Sequence, residues 1–329
     1  MRKFILLIIL LFVQVFSYAQ TPLDAVMQGT IINAKQHYIE LKYFNNPLDD
    51  TLNSVRIELN EKGQFYFELP IKRPLEAKIY YMNQQAPLYI EPEERIEINA
   101  LADDIFRSIN YTSKNFNNLY LVEYQKKYEK QRNNAEREKH ILYDTPIQYA
   151  KYEDSLANDK LNFLDNYHAE NALSTTFIRR QKARILYGAA NNKYMYPEKY
   201  KSLSSKEKEL QEEYYTFLIS QPVNENDLIT VPEFYEFLEH LFNHHFKQKS
   251  KGTTNEFELA AFEYNTAYGL YKERVKNIFL TKKFGEILDR YPYEYSSRFI
   301  SGYMSTVYQT EYRAYIDKKI ERAIARKKN

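Results

Sequence analysis

The chain has 329 residues, 44% of them hydrophobic and 27% charged, with 46 lysines and arginines against 44 aspartates and glutamates. That is a folding composition and not a disordered one, and a net charge of +2 gives no strong field for a nucleic-acid partner. No cysteine is present, which excludes disulfide bonds and also thiol–disulfide exchange by this polypeptide alone, since exchange needs a thiolate.

Residues Met1–Ala19 read as an export leader. Arg2 and Lys3 form the charged start, Phe4–Phe16 the apolar run, and Ser17-Tyr18-Ala19 the small-residue pattern for cleavage after Ala19. The apolar run is about 13 residues, short of the roughly 20 that cross a bilayer. The leader lacks the cysteine that a lipid-anchored bacterial lipoprotein carries. The expected location is therefore periplasmic or secreted, with the membrane met only through the leader. Three segments are expected: signal peptide 1–19, β-sandwich domain 20–102 and helical domain 103–329.

From Ala25 to Ala100 the apolar residues alternate with period two. Ile39, Leu41 and Tyr43 face one way against Tyr38, Glu40 and Lys42, and Val55, Ile57 and Leu59 alternate with Arg56 and Glu58. Phe65, Phe67 and Leu69 resume the rhythm after Asn60-Glu61-Lys62-Gly63, a hairpin loop in which Gly63 supplies a left-handed conformation. Ala77, Ile79 and Tyr81 mark a further strand, as do Leu88 with Ile90 and Ile96 with Ile98, with Pro87 and Pro92 at the breaks. Strands so spaced, each apolar on one face, predict an antiparallel sandwich of roughly seven strands. One-sided alternation argues against a parallel sheet, whose strands are apolar on both faces.

After about Asp103 the period becomes three and four. Leu119, Tyr120, Tyr124 and Tyr128 open a long, charged helix towards His140, in part solvated. Tyr149, Tyr152, Leu156, Phe163, Leu164 and Tyr167 mark a second helix, and Phe177, Ile178, Ile185, Leu186 and Tyr187 a third. Start signals of the form S/T-x-x-E occur at Ser204/Glu207, Thr230/Glu233 and Thr253/Glu256. Asp289–Pro292 ends the helix that follows the last of these. A final helix is predicted from about Tyr295 towards Arg326, through Phe299, Tyr303, Tyr308, Tyr312 and Ile316. About seven or eight helices make an irregular all-α domain, with no clean internal repeat.

The phrase Leu88-Tyr-Ile-Glu-Pro-Glu-Glu-Arg-Ile-Glu-Ile98, Tyr215-Thr-Phe-Leu-Ile219, Val231-Pro-Glu-Phe-Tyr-Glu-Phe-Leu238 and Glu311-Tyr-Arg-Ala-Tyr-Ile316 carry a resemblance. In its order of leader, β segment and helical region, the chain resembles the N-terminal part of TlpA-like periplasmic thiol–disulfide oxidoreductases of Gram-negative bacteria. In that family the β phrase carries a Pro-Gly-Asp turn; here Pro92-Glu93-Glu94 stands in its place. The resemblance implies a thioredoxin domain with a Cys-x-x-Cys pair after the helical region, and this chain ends near where that domain would begin. No catalytic residue is therefore carried over.

Glu236, His240, His244 and His245 form the sharpest local cluster. His240 and His244 are one turn apart, a spacing at which two imidazoles can share a metal. At about 100° per residue, however, Phe234, Phe237, Leu238 and Leu241 centre an apolar stripe that includes His245, has His244 at its edge and leaves His240 outside, so the three rings do not converge. The 32 tyrosines sit mostly at core spacing. The basic end, Lys318, Lys319, Arg322, Arg326, Lys327 and Lys328, favours a helix C-terminus, and the Lys/Glu runs are solvated faces. No G-x-G-x-x-G, P-loop, G-x-S-x-G or H-E-x-x-H occurs.

The expected fold is thus α+β, an N-terminal antiparallel β-sandwich followed by an irregular all-α helical domain. The expected function is a non-catalytic binding or interaction protein of the bacterial envelope, with a protein partner, no nucleic acid and no cofactor. The resemblance implies that it works beside a separate thiol oxidoreductase. A carboxylate- or metal-dependent hydrolase and a carbohydrate-binding surface protein are the alternatives. No catalytic, cofactor-binding or metal-binding residue is assigned.

Overall fold

Alternating apolar side chains build two four-stranded sheets from eight strands among the described residues. In chain order these are β1 (Leu23–Ile32), β2 (Tyr38–Tyr43), β3 (Asn53–Glu58), β4 (Gln64–Ile71), β5 (Leu75–Tyr81), β6 (Gln84–Ile90), β7 (Arg95–Leu101) and β8 (Asn110–Thr112). They are seen in a computed structural model that describes residues 23–44, 48, 53–129 and 134–327. The leader expected at 1–19, with its cleavage point, lies outside the described residues.

One sheet has the order β4-β1-β7-β8 and the other β3-β2-β5-β6. Both turn their apolar faces into one core: Ala25, Met27 and Ile31 from β1 meet Ile39 and Leu41 from β2, Ile79 and Tyr81 from β5, and Ile96 and Ile98 from β7. Gly63 takes φ 72° in a loop whose closure is local, for Asn60 Oδ1 accepts the N–H groups of both Lys62 and Gln64 at 2.9 Å. All pairings are antiparallel except β1 with β7, which run parallel in the register Met27↔Ile96 and Ile31↔Ala100. This pair departs from the expected antiparallel arrangement. Alternation reports which face of a strand is buried; it carries no information on strand direction, and β1 and β7 are each apolar on one face only. β8 departs as well, since it lies inside the segment whose period predicts helix. Only Tyr111 of its three residues is buried, and a single inward position has no period to read.

The edge strand β6 is closed by a side chain. Asn118 accepts from the Tyr89 N–H at 2.6 Å and donates to its carbonyl at 2.9 Å, standing in for a neighbouring strand and blocking a template for further pairing.

The chain divides into two compact units. Met1–Asn45, Leu52–Tyr128 and Asn171–Ser174 form the first, and Asn46–Thr51, Glu129–Glu170 and Thr175–Asn329 the second. Besides the sheets, the first unit holds α1 (Ile105–Ser108) and all but the last residue of α2 (Asn117–Glu129).

The second unit is helical: α3 (Asn134–Tyr143), α4 (Pro146–Glu170), α5 (Thr175–Tyr194), α6 (Tyr196–Ser204), α7 (Thr216–Ser220), α8 (Pro232–Lys249), α9 (Glu256–Leu270), α10 (Glu273–Arg290), α11 (Tyr293–Ser296), α12 (Ile300–Thr306) and α13 (Thr310–Lys327). Phe234, Phe237 and Leu238 of α8, Phe279 and Phe284 of α10 and Ile316 of α13 centre its core. No helix among the described residues is long and apolar enough to cross a membrane. The single helix expected from Leu119 towards His140 is seen as α2 and α3, with 130–133 outside the described residues.

None of the three S/T-x-x-E pairs starts a helix as a capping box. Ser204 ends α6, its hydroxyl donating back to the Tyr200 carbonyl at 2.7 Å, while Glu207 pairs with Lys201. Thr230 and Glu233 are claimed by α5: Arg180 donates to Thr230 Oγ1 at 3.2 Å and Arg184 to Glu233 at 3.0 Å. At α9 the cap is Asn255, whose side chain accepts from the N–H groups of Phe257 and Glu258. Asn255→Ala is expected to cost about 1 kcal/mol and Thr253→Ala less than about 0.5 kcal/mol, read from denaturant midpoints. A box does form at Thr145 and Gln148, where Thr145 N–H donates to Gln148 Oε1 at 2.9 Å and Gln148 N–H to Thr145 Oγ1 at 3.3 Å. It starts α4, with glutamine in place of glutamate.

Two helices expected to be continuous are broken. Between α9 and α10 the chain turns at Tyr271–Lys272, because Asn224 and Asn226 accept the N–H groups of Lys272 and Val275 and so supply a new helix start. The last helix is interrupted at Val307–Gln309, where Arg313 folds back to donate to the carbonyls of Val307 and Met304 at 2.7 and 2.6 Å. Tyr308 lies in that break, mostly exposed.

Candidate functional site

The predicted histidine cluster lies on α8 but does not converge. His240 stacks on Tyr194 at 4.3 Å, and its Nε2 faces Glu236 Oε1 at 3.6 Å. His244 Nε2 instead meets Glu212 Oε1 at 2.8 Å. The ring of His245 makes an edge contact with that of His244 at 5.9 Å, and burial lowers its pKa. The wheel order is corrected as well: His240, placed outside the apolar stripe, has a side chain as buried as that of His244, 11% exposed against 12%. The helix is buried on two sides, against α5 and against the α9–α10 side, so its inward face is wider than one stripe. No three histidine, aspartate or glutamate side chains gather to hold a metal among the described residues.

Two of the basic C-terminal residues, Lys319 and Arg326, meet a neighbouring helix end, while Lys318 and Arg322 are exposed. Lys319 pairs with Asp289, and Arg326 donates to the carbonyls of Leu288 and Asp289, the last carbonyls of α10, which a helix leaves without partners.

A buried charge network lies elsewhere in the helical unit, around Glu153. The Thr145–Gln148 box fixes the start of α4, and one turn later Tyr149 and Glu153 face inward. Glu153 is 1% exposed, and both its oxygens are satisfied. Oε1 accepts from Arg137 Nε at 2.7 Å and Tyr149 Oη at 2.9 Å, and Oε2 from Arg137 Nη2 and Asn192 Nδ2, both at 3.1 Å. Such a bidentate arginine with two further donors is what a buried carboxylate requires. Asn192 in turn accepts from Lys199 Nζ of α6 at 3.0 Å. The neighbouring Asn191 donates to Glu236 Oε2 at 2.9 Å, which joins the α8 carboxylate to the same band. Aromatic rings wall the cluster: Tyr149 stacks on Tyr196 at 4.7 Å, and Tyr152 on His140 at 3.8 Å.

Lys160 and Lys199 are both held below the usual lysine range, first by burial and next by the Arg137 charge, and Glu153 offsets this only in part. Asp159 raises Lys160 and Glu236 raises Lys199, each to a smaller extent. A second buried network shows the contrast. Burial also works against Lys283, but Glu239 and Glu286 contact it at 2.5 and 2.9 Å and raise it on balance. Lys283 is thus raised on balance by its two carboxylates, whereas Lys160 and Lys199 stay lowered on balance beside Arg137. The Arg137 side chain is about one-third exposed, so the cluster can be approached from solvent.

No protein-family model, curated protein or solved structure matches the chain.

Sequence reasoning missed Arg137, Glu153, Lys160, Asn192 and Lys199. One signal was there to use. Glu153 falls on the stripe marked by Tyr149, Tyr152 and Leu156, and a charge on an apolar stripe demands a partner.

Proposed function

We propose that this chain is an exported, non-catalytic binding protein of the bacterial envelope that holds an anionic group, carboxylate or phosphate, at Arg137, Lys160 and Lys199. The observation that carries the reading is the pair of partly buried lysines, each driven below its usual range beside an arginine that already holds Glu153. Cations so placed have lost hydration before any ligand arrives, and an incoming anion restores what burial removed. Export rests on the leader sequence.

Work beside a separate thiol oxidoreductase belongs to the same proposal and rests on the resemblance. It has support from one turn: Glu93 holds φ 63°, a left-handed value at home for the glycine of a Pro-Gly-Asp phrase.

Titration calorimetry with inorganic phosphate and with citrate tests the site. Saturable binding is expected, weakened at least tenfold (about 1.4 kcal/mol) in Lys160→Ala and Lys199→Ala. Weakening at higher salt is also expected. Absence of binding, or binding indifferent to both substitutions, sinks the reading.

A further inference from the structure

The outer face of the β4-β1-β7-β8 sheet differs in chemistry from that of the other sheet. Strand register sets its outward side chains in rows that cross all four strands. One row runs Tyr66, Gln28, Glu97, Thr112, and the next Gln64, Thr30, Asn99, Asn110. Neighbours in such a row stand about 5 Å apart, so the two rows make a strip of amides and hydroxyls. Glu97 is the one charged residue among them, and Asn99 Nδ2 donates to it at 2.9 Å. Every member of both rows is exposed or partly exposed. Beyond the second row Ile32 and Leu101 are registered side by side, 46% and 47% exposed.

Solvation alone does not require this composition. The outer face of the other sheet carries Glu40, Lys42, Arg56 and Glu58 and settles its charges internally: Lys42 meets Glu40 at 3.0 Å, Arg56 meets Glu58 at 2.9 Å, and Ser54 donates to Glu40. On the β4-β1-β7-β8 face, by contrast, the side chains of Gln28, Thr30, Asn110 and Thr112 make no hydrogen bond among the described residues. Gln64 Oε1 accepts from Asn60 Nδ2 at 3.0 Å, which leaves the Gln64 amide nitrogen to donate. Tyr66 is 60% exposed, and its hydroxyl donates to Glu68, two residues further along the same strand face. That bond tethers the ring along the strand and leaves most of it open to solvent.

We propose that this face binds a neutral glycan chain. Amide and hydroxyl side chains offer donors and acceptors together, as the adjacent hydroxyls of a sugar require, and the Glu97 carboxylate accepts from such hydroxyls. The tethered phenol ring of Tyr66 presents an apolar surface to the C–H side of a pyranose. Other occupants fit less well. Neither row holds a lysine or arginine for the phosphates of a nucleic acid. A protein partner calls for an apolar centre and a polar rim, and here the middle is polar and the apolar residues lie at the ends. Four strands spaced about 4.8 Å apart give a strip about 14 Å across, bounded by the edge strands β4 and β8, which suits a chain running over the face. The site belongs to the sheet unit, and nothing in it rests on the anion reading of the helical unit.

Native affinity electrophoresis through gels holding mannan, dextran, galactomannan or laminarin is the test, with polygalacturonate as the charged comparison. Retardation by at least one of the neutral polysaccharides is expected. It should weaken at least tenfold in Gln28→Ala and in Tyr66→Ala, and stay unchanged in Lys160→Ala and in Arg56→Ala on the outer face of the other sheet. Added salt should leave it in place, since no ion pair is involved. No retardation by any of the four neutral polysaccharides overturns the proposal. So does retardation by polygalacturonate alone, or retardation that survives both substitutions. If Gln28→Ala, on a central strand, fails to fold, Thr112→Arg decides: from the short edge strand β8 it lays a long side chain over the strip. Loss of retardation in that variant supports the site, and full retention overturns it.

Discussion

Gly29→Ala is expected to remove the central pairing of the β4-β1-β7-β8 sheet and cost about 3 kcal/mol or more, beyond the usual range for overpacking. A Cβ at this position would stand 1.8 Å from the Ile98 carbonyl oxygen, 2.6 Å from its carbon and 2.9 Å from its nitrogen. All three are backbone atoms, so no side-chain rotation makes room. Gly29 is registered against Phe65 of β4 on one side and Ile98 of β7 on the other. The strand therefore cannot shift away from β7 without disturbing β4. Gly269→Ala is the control, for nothing lies within 4 Å of the added carbon and its place in α9 predicts stabilisation of about 0.5–1 kcal/mol. Urea midpoints measure both. A Gly29→Ala midpoint equal to that of the parent chain would mean that β1 and β7 do not pair as described.

What the sequence made legible follows from the range of the interactions involved. The β segment was readable because burial of alternate positions, as in Leu75, Ala77, Ile79 and Tyr81 of β5, is written residue by residue, and because the Gly63 loop closes on itself. The parallel β1–β7 pair was not, since direction depends on a partner some 70 positions away in the register Val26↔Arg95. The helix boundaries failed for the same reason. Ser/Thr and Glu at capping spacing compete for partners, and at Thr230 and Glu233 the arginines of α5 prevail. The breaks at Tyr271 and Val307 are set by Asn224, Asn226 and Arg313, and neither carries a proline or glycine at the break itself.

The candidate site was legible only as an anomaly. The histidines drew attention through their spacing, yet adjacent rings on α8 find different partners, Tyr194 for His240 and Glu212 for His244. Arg137, Glu153, Asn192 and Lys199 are scattered over α3, α4, α5 and α6. Nothing in their local patterns announces that they meet. An inward-facing glutamate shows that a cation must be near, but not which of the 46 lysines and arginines supplies it.

Glu153→Ala is expected to destabilise the helical unit by about 3–5 kcal/mol, the usual cost of leaving one member of a buried ion pair alone. The loss has two parts. Arg137, Tyr149 and Asn192 lose their acceptor, and Lys160 and Lys199 are left beside Arg137 without the carboxylate that offsets it. Arg137→Ala acts in the opposite sense, stranding a negative charge in a place 1% exposed, and belongs in the same range. If the pair is the unit of stability, the double variant Glu153→Ala with Arg137→Ala costs clearly less than the sum of the two single changes. A double-mutant cycle then gives a coupling of about 2 kcal/mol or more. Recovery should be incomplete, because Tyr149 and Asn192 remain buried polar groups with one acceptor fewer. Chemical unfolding measured on the four proteins settles it: additive costs, or single changes under about 1 kcal/mol, would make this a surface pair of little weight. The anion site proposed around it would then have lost its frame.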